Sequence, residues 1–253
     1  MKPETVLQLN SLNQRFYRVT AEEFSKTRSF YWKGWKQLIQ PLKTLAEKHP
    51  QLKVLDLGCG NGRFGEFLWK EGIHEHLIYH GGDNSKELIT FATEKLQPYP
   101  FEKEIFFVDL IDGLLKKNLE QVLPQKKYHV ITLFGVLHHV PSQALRSQLF
   151  QTLENHLVNG GILVFTAWRF MNESRFEKKK LHPTLIGINP DDLEENDHIL
   201  DWQRGLTAYR YCHYTDAAEI EKLTEKTSFE LVEEYTADGK SGNLNTYRIL
   251  RKP

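Results

Sequence analysis

Apolar residues first recur at helical spacing in the leading segment. Leu38, Ile39, Leu42, Leu45 and Ala46 mark one face of a pattern that spans residues 6–50. Pro41 is expected to interrupt it and Pro50 to end it. From Lys53 onward the period changes. Short apolar runs at 53–57, 77–82, 105–108, 129–134 and 162–167 read as strands, and 62–71, 85–96, 113–122 and 142–156 read as helices between them. Strands that alternate with helices predict an α/β fold with a mostly parallel sheet covered on both faces. The turn Asn159-Gly160-Gly161 suits the end of a helix followed by a tight return into the fifth strand. Over 168–206 the rhythm fails. That stretch is polar, charged and punctuated by Pro183, Gly187, Pro190 and Gly205, so it is expected to be an insertion over the strand ends, where lids and substrate walls sit. A helix near 216–226 and two strands, 229–235 and 245–250, then close the chain through a hairpin loop at 238–242. The expected organisation is a helical cap over 1–52 and one α/β domain over 53–253.

Length and composition agree with one large domain of this kind: 253 residues, 40% hydrophobic and 26% charged. No run approaches the roughly 18 apolar residues of a membrane span. The start of the chain lacks the charged-then-apolar pattern of a secretion signal. Cys59 and Cys212 are the two cysteines, far apart and in no ligand spacing, which excludes a disulfide framework and argues against a structural zinc. A reducing cytoplasm is the expected setting, with no membrane partner. Formal charge is zero overall but uneven. Residues 1–53 carry ten Lys or Arg against four Glu, a net +6, whereas Asp191, Asp192, Glu194, Glu195, Asp197 and Asp201 crowd one acidic stretch. The basic segment suits an anion, and both stretches also suit plain solvated surface.

The candidate chemistry begins where the first core strand runs into Asp56-Leu57-Gly58-Cys59-Gly60-Asn61-Gly62. Glycines let backbone pass close to a ligand, and the carboxyl ends of strands in an α/β sheet form its usual crevice. This spacing is not the Gly-x-Gly-x-x-Gly of a pyrophosphate cradle, and Asp56 at its mouth disfavours a pyrophosphate while suiting an amino or sulfonium group. Asp83, followed by Asn84, ends the second strand at a distance suited to ribose hydroxyls. Asp109, followed by Leu110, ends the third, where it can accept from an adenine amine. Either acid can equally cap the helix that follows it. Three acids at three strand ends describe a pocket for a positively charged, adenosine-bearing ligand.

These residues resemble class I S-adenosylmethionine (SAM)-dependent methyltransferases over about residues 53–167. Val54-Leu55-Asp56-Leu57-Gly58-Cys59-Gly60-Asn61-Gly62 is similar to that family's first motif, Gly82-Asp83 and Val108-Asp109 to its second and third. Phe134-Gly135-Val136-Leu137-His138-His139-Val140 is similar to its segment after the fourth strand. The resemblance implies a Rossmann-like, doubly wound, seven-stranded sheet with a reversed terminal hairpin and SAM as co-substrate. It places Asp56, Gly58, Cys59, Gly60, Asn61, Asp83, Asn84, Asp109, Leu110, Phe134 and Val136 around the cofactor. The flanks, from Phe16-Tyr17 through Phe24 and Arg28 to Trp32, and Asp201-Trp202 with Arg210-Tyr211-Cys212-His213-Tyr214, resemble the tRNA wobble-uridine carboxymethyl methyltransferases. That narrower resemblance implies a carboxylate on a modified tRNA uridine as acceptor, and an activator subunit as a possible partner. Where the family usually has a second aromatic, this chain has Cys212.

Arg28, Arg169 and Arg210 are the candidates for gripping an anion, since a guanidinium holds carboxylate or phosphate by two bonds. Arg210 is favoured, with Tyr211 beside it as a second positioner and His213 after it as a substrate contact. Trp32, Trp35, Trp168 and Trp202 suit stacking on a planar acceptor, or packing. His139 is the candidate base and His138 a substrate wall, although methyl transfer from a sulfonium needs mainly alignment and exclusion of water. No metal is expected: adjacent histidines cannot both face one ion from a helix, and no Cys or carboxylate stands near them in sequence. The alternatives to a tRNA methyltransferase are a small-metabolite methyltransferase and a non-catalytic SAM-binding protein.

Overall fold

A computed structural model describes residues 1–27, 30–204 and 206–253, with backbone alone at 203, 204 and 206. In chain order the elements are α1 (Pro3–Lys26), α2 (Trp35–Ala46), β1 (Leu52–Leu57), α3 (Arg63–Lys70), β2 (Leu77–Asp83), α4 (Lys86–Leu96) and β3 (Glu102–Phe107). There follow α5 (Leu110–Leu115), α6 (Leu119–Val122), β4 (Tyr128–Leu133), α7 (Gln143–His156), β5 (Leu157–Trp168), α8 (Ser174–Glu177), β6 (Lys180–Leu181), β7 (Asp197–Arg204) and β8 (Leu206–His213). The chain ends with α9 (Ala217–Thr224), β9 (Glu230–Ala237) and β10 (Asn245–Arg251).

The main sheet runs β3-β2-β1-β4-β5-β10-β9. Its first five strands are parallel, and β10 lies antiparallel between β5 and β9, giving the seven-stranded class I methyltransferase sheet with its reversed hairpin. β1, β2 and β4 are buried along nearly their whole length, as continuous apolar runs covered on two faces require. One core cluster unites Trp35, Leu38 and Leu42 of α2 with Phe64, Phe67 and Leu68 of α3. Another unites α5, α7 and α9 through Leu114, Leu149, Phe150 and Leu223. Chain order reverses between β2-β1 and β4, and the crevice at that switch point is where such sheets bind ligands.

Local expectations held with four corrections. Asn159-Gly160-Gly161 is not a turn ahead of the fifth strand but lies within β5, where Gly160, at φ 76°, sits at an irregularity of the β4–β5 pairing. Pro41 does not interrupt the second helix: α2 passes through it, because Leu38, Leu42 and Leu45 seat the helix on the sheet and offset the backbone hydrogen bond that proline removes. The helix expected over 113–122 is two short ones, split at Lys117, whose φ of 56° lies in the left-handed region. The insertion over 168–206 is more regular than its broken rhythm suggests. It carries β6, β7 and β8 as a second, antiparallel sheet that runs past residue 206 to His213. Helix α1 lies against this small sheet. Its Leu9 clusters with Ile188, Ile199 and Tyr211, and Phe16 meets Trp202 edge-on at 5.6 Å. Among the described residues no helix is long and apolar enough to cross a membrane.

Candidate cofactor and acceptor site

A cavity of about 700 Å³ opens at the carboxyl ends of β1 and β4, closed over by α1 and the small sheet. One half is the glycine turn. Gly58 and Cys59 donate their N–H groups to the Gly82 carbonyl, at 2.8 and 3.1 Å, locking the turn onto β2. Gly58, at φ +74°, lies so close to Val136 that a Cβ would come within 2.2 Å of its Cγ2. Gly60, at φ +56°, faces open space, with no atom within 4 Å of where a Cβ would stand. Backbone bare of side chain at this point leaves room for a ligand to approach closely.

Asp83 ties the turn to the next helix. Its carboxylate accepts from Gly60 N at 2.9 Å and Ser85 N at 2.9 Å, and burial pushes its pKa up. Asp56 accepts from Tyr79 and Thr132 hydroxyls, both at 2.6 Å, and burial carries it up to about 6. Cys59 is buried, which raises its thiol. Asn61 donates to Ser25 of α1 at 3.0 Å. Asn84, Leu110, Phe134 and Val136 also line the cavity. Two carboxyl groups beside an open stretch of backbone fit a cofactor that carries a sulfonium and ribose hydroxyls.

Asp109 departs from expectation. It does not line the cavity. One oxygen caps α5, accepting from Ile111 N at 3.0 Å and Asp112 N at 3.1 Å, while the other takes Asn10 Nδ2 at 2.8 Å and Gln14 Nε2 at 2.7 Å. Helix α1 covers the carboxylate, leaving Val108, Leu110 and Ile111 to form the apolar wall.

The other half collects residues distant in sequence. His138 and His139 sit on a single 3-10 turn, Leu137–His139. Burial and the nearby Arg210 charge push His139 down to about 3, so its ring is neutral. A neutral ring 2.9 Å from the Tyr211 carbonyl carries its proton on Nδ1, so Nε2 accepts from the Tyr17 hydroxyl at 2.7 Å. Burial drives His138 well below its ordinary range, and its Nδ1 is buried without a hydrogen-bond partner. Arg210 is 8% exposed. Its guanidinium lies 4.8 Å from the Trp168 ring, 5.2 Å from Phe16 and 5.9 Å from Trp202, and its Nε has no hydrogen-bond partner. Trp32 lines the cavity too, stacked on Trp35 at 5.6 Å.

Three expected substrate or catalytic residues are described and do not line the cavity. Tyr211 is fully buried, its hydroxyl bound to Asp197 at 2.6 Å. His213 lies between Asp197 and Glu219. Both follow from strand alternation, since β8 turns Arg210 one way and its neighbours the other. Arg169 is half-buried and outside the lining. Arg28 lies outside the described residues. The argument against a metal also needs correction. Cys212 comes to His138 and His139, with the three ligating atoms within 4.8 Å of one another. The charge of Arg210 acts on all three and opposes a cation, and both nitrogens of His139 are engaged.

Sequence reasoning missed Asn10, Asn13, Tyr17 and Arg63, which line the cavity, and a basic rim of Lys33, Arg175, Lys179 and Lys240. A groove beside it holds Arg175, Lys178, Lys179, Ser174 and Asp201. The run from Arg175 to Lys180 was a visible signal, overshadowed by the acidic stretch after it.

A family profile for the methyltransferase domain matches residues 28–234. The tRNA (carboxymethyluridine(34)-5-O)-methyltransferase of Schizosaccharomyces pombe is 23% identical over 239 residues, 88% of this chain and 91% of the relative. The ubiquinone biosynthesis O-methyltransferase of Rickettsia bellii is 23% identical over 196 residues, 78% of this chain and 69% of the relative. The bovine and human proteins described as probable tRNA methyltransferase 9B also match, and the chain spans about a third of their length. A SAM-dependent methyltransferase from Clostridium acetobutylicum superposes with a TM-score of 0.65 at 16% identity, over 93% of this chain and 98% of that one. The chain therefore belongs to the methyltransferase-domain family and has the class I methyltransferase fold.

Proposed function

We propose that the protein methylates a carboxylate oxygen carried on a modified tRNA uridine. One observation carries the reading: the Arg210 guanidinium lines the cavity, nearly buried, with no ion pair among the described residues. A buried charge without a counter-ion is costly, and aromatic faces return only about 0.5–1 kcal/mol each at exposed sites, somewhat more when desolvated. An anionic acceptor supplies the missing partner. SAM, when bound, supplies a methyl group on a sulfonium whose departure leaves a neutral thioether.

A carboxylate attacks without losing a proton, so the chain's residues orient it and exclude water. Arg210 holds one oxygen or both, and His138 Nδ1, otherwise unpaired, meets the acceptor beside it. Trp168, packed 4.9 Å from the His138 ring, offers a face to the base. Methylation turns the carboxylate into a neutral ester. Arg210 then loses its partner, which favours release of product. The basic rim suits the phosphates that flank a nucleoside in RNA. The similarity to the Schizosaccharomyces pombe enzyme along nearly the whole chain supports the same reading.

The test uses methyl-labelled SAM with two tRNA preparations, one bearing carboxymethyluridine and one lacking the carboxymethyl arm. Label is expected only in the first, released as methanol by mild alkali, as an ester requires. Equal labelling of both, or of neither when calorimetry shows SAM bound, rejects the proposal. A second reading rests on the Tyr17–His139 contact. A small hydroxyl acceptor could take the place of Tyr17 at His139 Nε2, and the similarity to the Rickettsia bellii enzyme supports it. Alkali-stable label in a small-molecule extract would favour that reading.

A further inference from the structure

Away from the cavity, one buried polar cluster joins the small sheet to the core. His213 Nδ1 lies 2.7 Å from Asp197 of β7, and its Nε2 lies 2.6 Å from Glu219 of α9. Asp197 also accepts from the Tyr211 hydroxyl and from Glu194 N. Arg146 of α7, fully buried, bonds Glu219, Glu194 and the Val140 carbonyl. Two of these carboxylates, Glu194 and Glu219, face the guanidinium, and Asp197 brings the cluster to three acids against one fixed positive charge. Two other titratable groups near His213, His138 and His198, are pushed down by burial and are neutral. Besides Arg146, a charged His213 is the side chain placed among the described residues to reduce the surplus of negative charge.

We propose that His213, as an imidazolium, is a positioning residue that pins strand β8 to α9 and so sets where Arg210 enters the cavity. The two residues share one strand, three positions apart. Between them the Tyr211 backbone is held by neutral bonds alone: its N–H donates to Asn13 Oδ1 at 2.8 Å, and its carbonyl accepts from Asn13 at 3.2 Å and His139 at 2.9 Å. His213 adds the charged anchor at the strand's end, directly across from Asp197 in the β7–β8 register.

The anchor depends on pH. Burial works against the charged ring, but the bonds to Asp197 and Glu219 outweigh it and raise His213 above its ordinary value. A group raised on folding stabilises fully below its unfolded value, and that contribution is lost as pH rises through the folded value. Arg210 is therefore held firmly in mildly acidic solution and loosened as pH rises through the folded value of His213.

The effect on turnover rests on Arg210 as the acceptor's anion site, so the first measurement needs no acceptor. In the ¹⁵N-labelled full chain, the indole resonances of Trp168 and Trp202, which flank Arg210, are followed against pH. Both are expected to move with the midpoint of the His213 imidazole. In His213→Gln they should keep the alkaline position at every pH, and in His213→Lys the acidic position with no midpoint. With acceptor present, His213→Gln should raise KM roughly tenfold while SAM affinity and kcat change less than twofold, as loss of one charged bond predicts. His213→Lys should restore KM. Indole resonances that ignore the imidazole, in wild-type protein alone if His213→Gln does not fold, overturn the proposal, as does a His213→Gln KM equal to wild type. If the resonances follow His213 but Arg210→Met leaves KM unchanged, the positioning stands and the reading of Arg210 as the anion site falls.

Discussion

The cofactor half of the cavity uses residues 56–62, 83–84 and 108–111, each stretch lying where a core strand ends. The acceptor half uses Asn13 and Tyr17 from α1, His138 and His139 from a 3-10 turn, Trp168 from β5, and Trp202 and Arg210 from the small sheet. The first half is backbone held by groups close by in the fold: Gly58 and Cys59 bond the Gly82 carbonyl, and Gly60 bonds the Asp83 carboxylate. The second is side chains held by other side chains, and its one strong charge is braced from outside by a network of ions. A cofactor pocket can therefore be shared across a family while the acceptor pocket varies, because the latter hangs on contacts that a few substitutions rearrange.

The comparison breaks most readily at Arg146. Replacing it with methionine leaves the half-buried Glu194 and Glu219 without their guanidinium, and loss of one partner of a buried pair costs up to about 3–5 kcal/mol. Denaturant unfolding should show that loss; less than about 1 kcal/mol would mean the ions do not hold the small sheet to α7 and α9. Next in size is Arg210→Met. Losing a hydrogen bond to a charged group, about 1.5–3 kcal/mol, lowers acceptor kcat/KM roughly 10- to 150-fold. SAM affinity by calorimetry should hold, and a parallel fall in it would merge the two halves.

Within the cofactor half, two glycines should behave differently. Gly58→Ala drives a Cβ into Val136 and should cost about 1–3 kcal/mol of stability by thermal unfolding. Gly60→Ala meets no protein atom, so its main effect should be weaker SAM binding, with the smaller loss of melting temperature that its positive φ imposes. Equal melting temperatures for the two variants would contradict the open cradle at Gly60. The smallest effect belongs to Asp109→Asn. Asparagine still caps α5, so stability should fall by at most about 1 kcal/mol and SAM affinity should not change. A tenfold loss of affinity would restore the adenine contact that the motif suggests.

Legibility followed the same division. The glycine turn, Asp83 and the strand rhythm could be read because each depends on neighbours within a few residues or on a repeating period. Pro41 misled because propensity is weak against a helix face seated in the core. Asp109 misled because its motif is local while the residues that occupy it, Asn10 and Gln14, lie about a hundred positions away in sequence. Arg210 was singled out from its aromatic surroundings in sequence. Tyr211 and His213 were grouped with it because alternation along a strand shows only once residues 206–213 are known to be a strand.

The sequence by itself determined the mostly parallel sheet and pointed to the kind of cofactor, since these follow from hydrophobic period, glycine spacing and acids at strand ends. Tertiary structure alone decided which charges reach the acceptor. Arg210, Trp168 and His138 come from separate elements, and whether a side chain faces a cavity or a counter-ion depends on strand facing and on burial. Burial also fixed the protonation of His139 and His213, in opposite directions: the first is buried beside a cation, the second between two carboxylates.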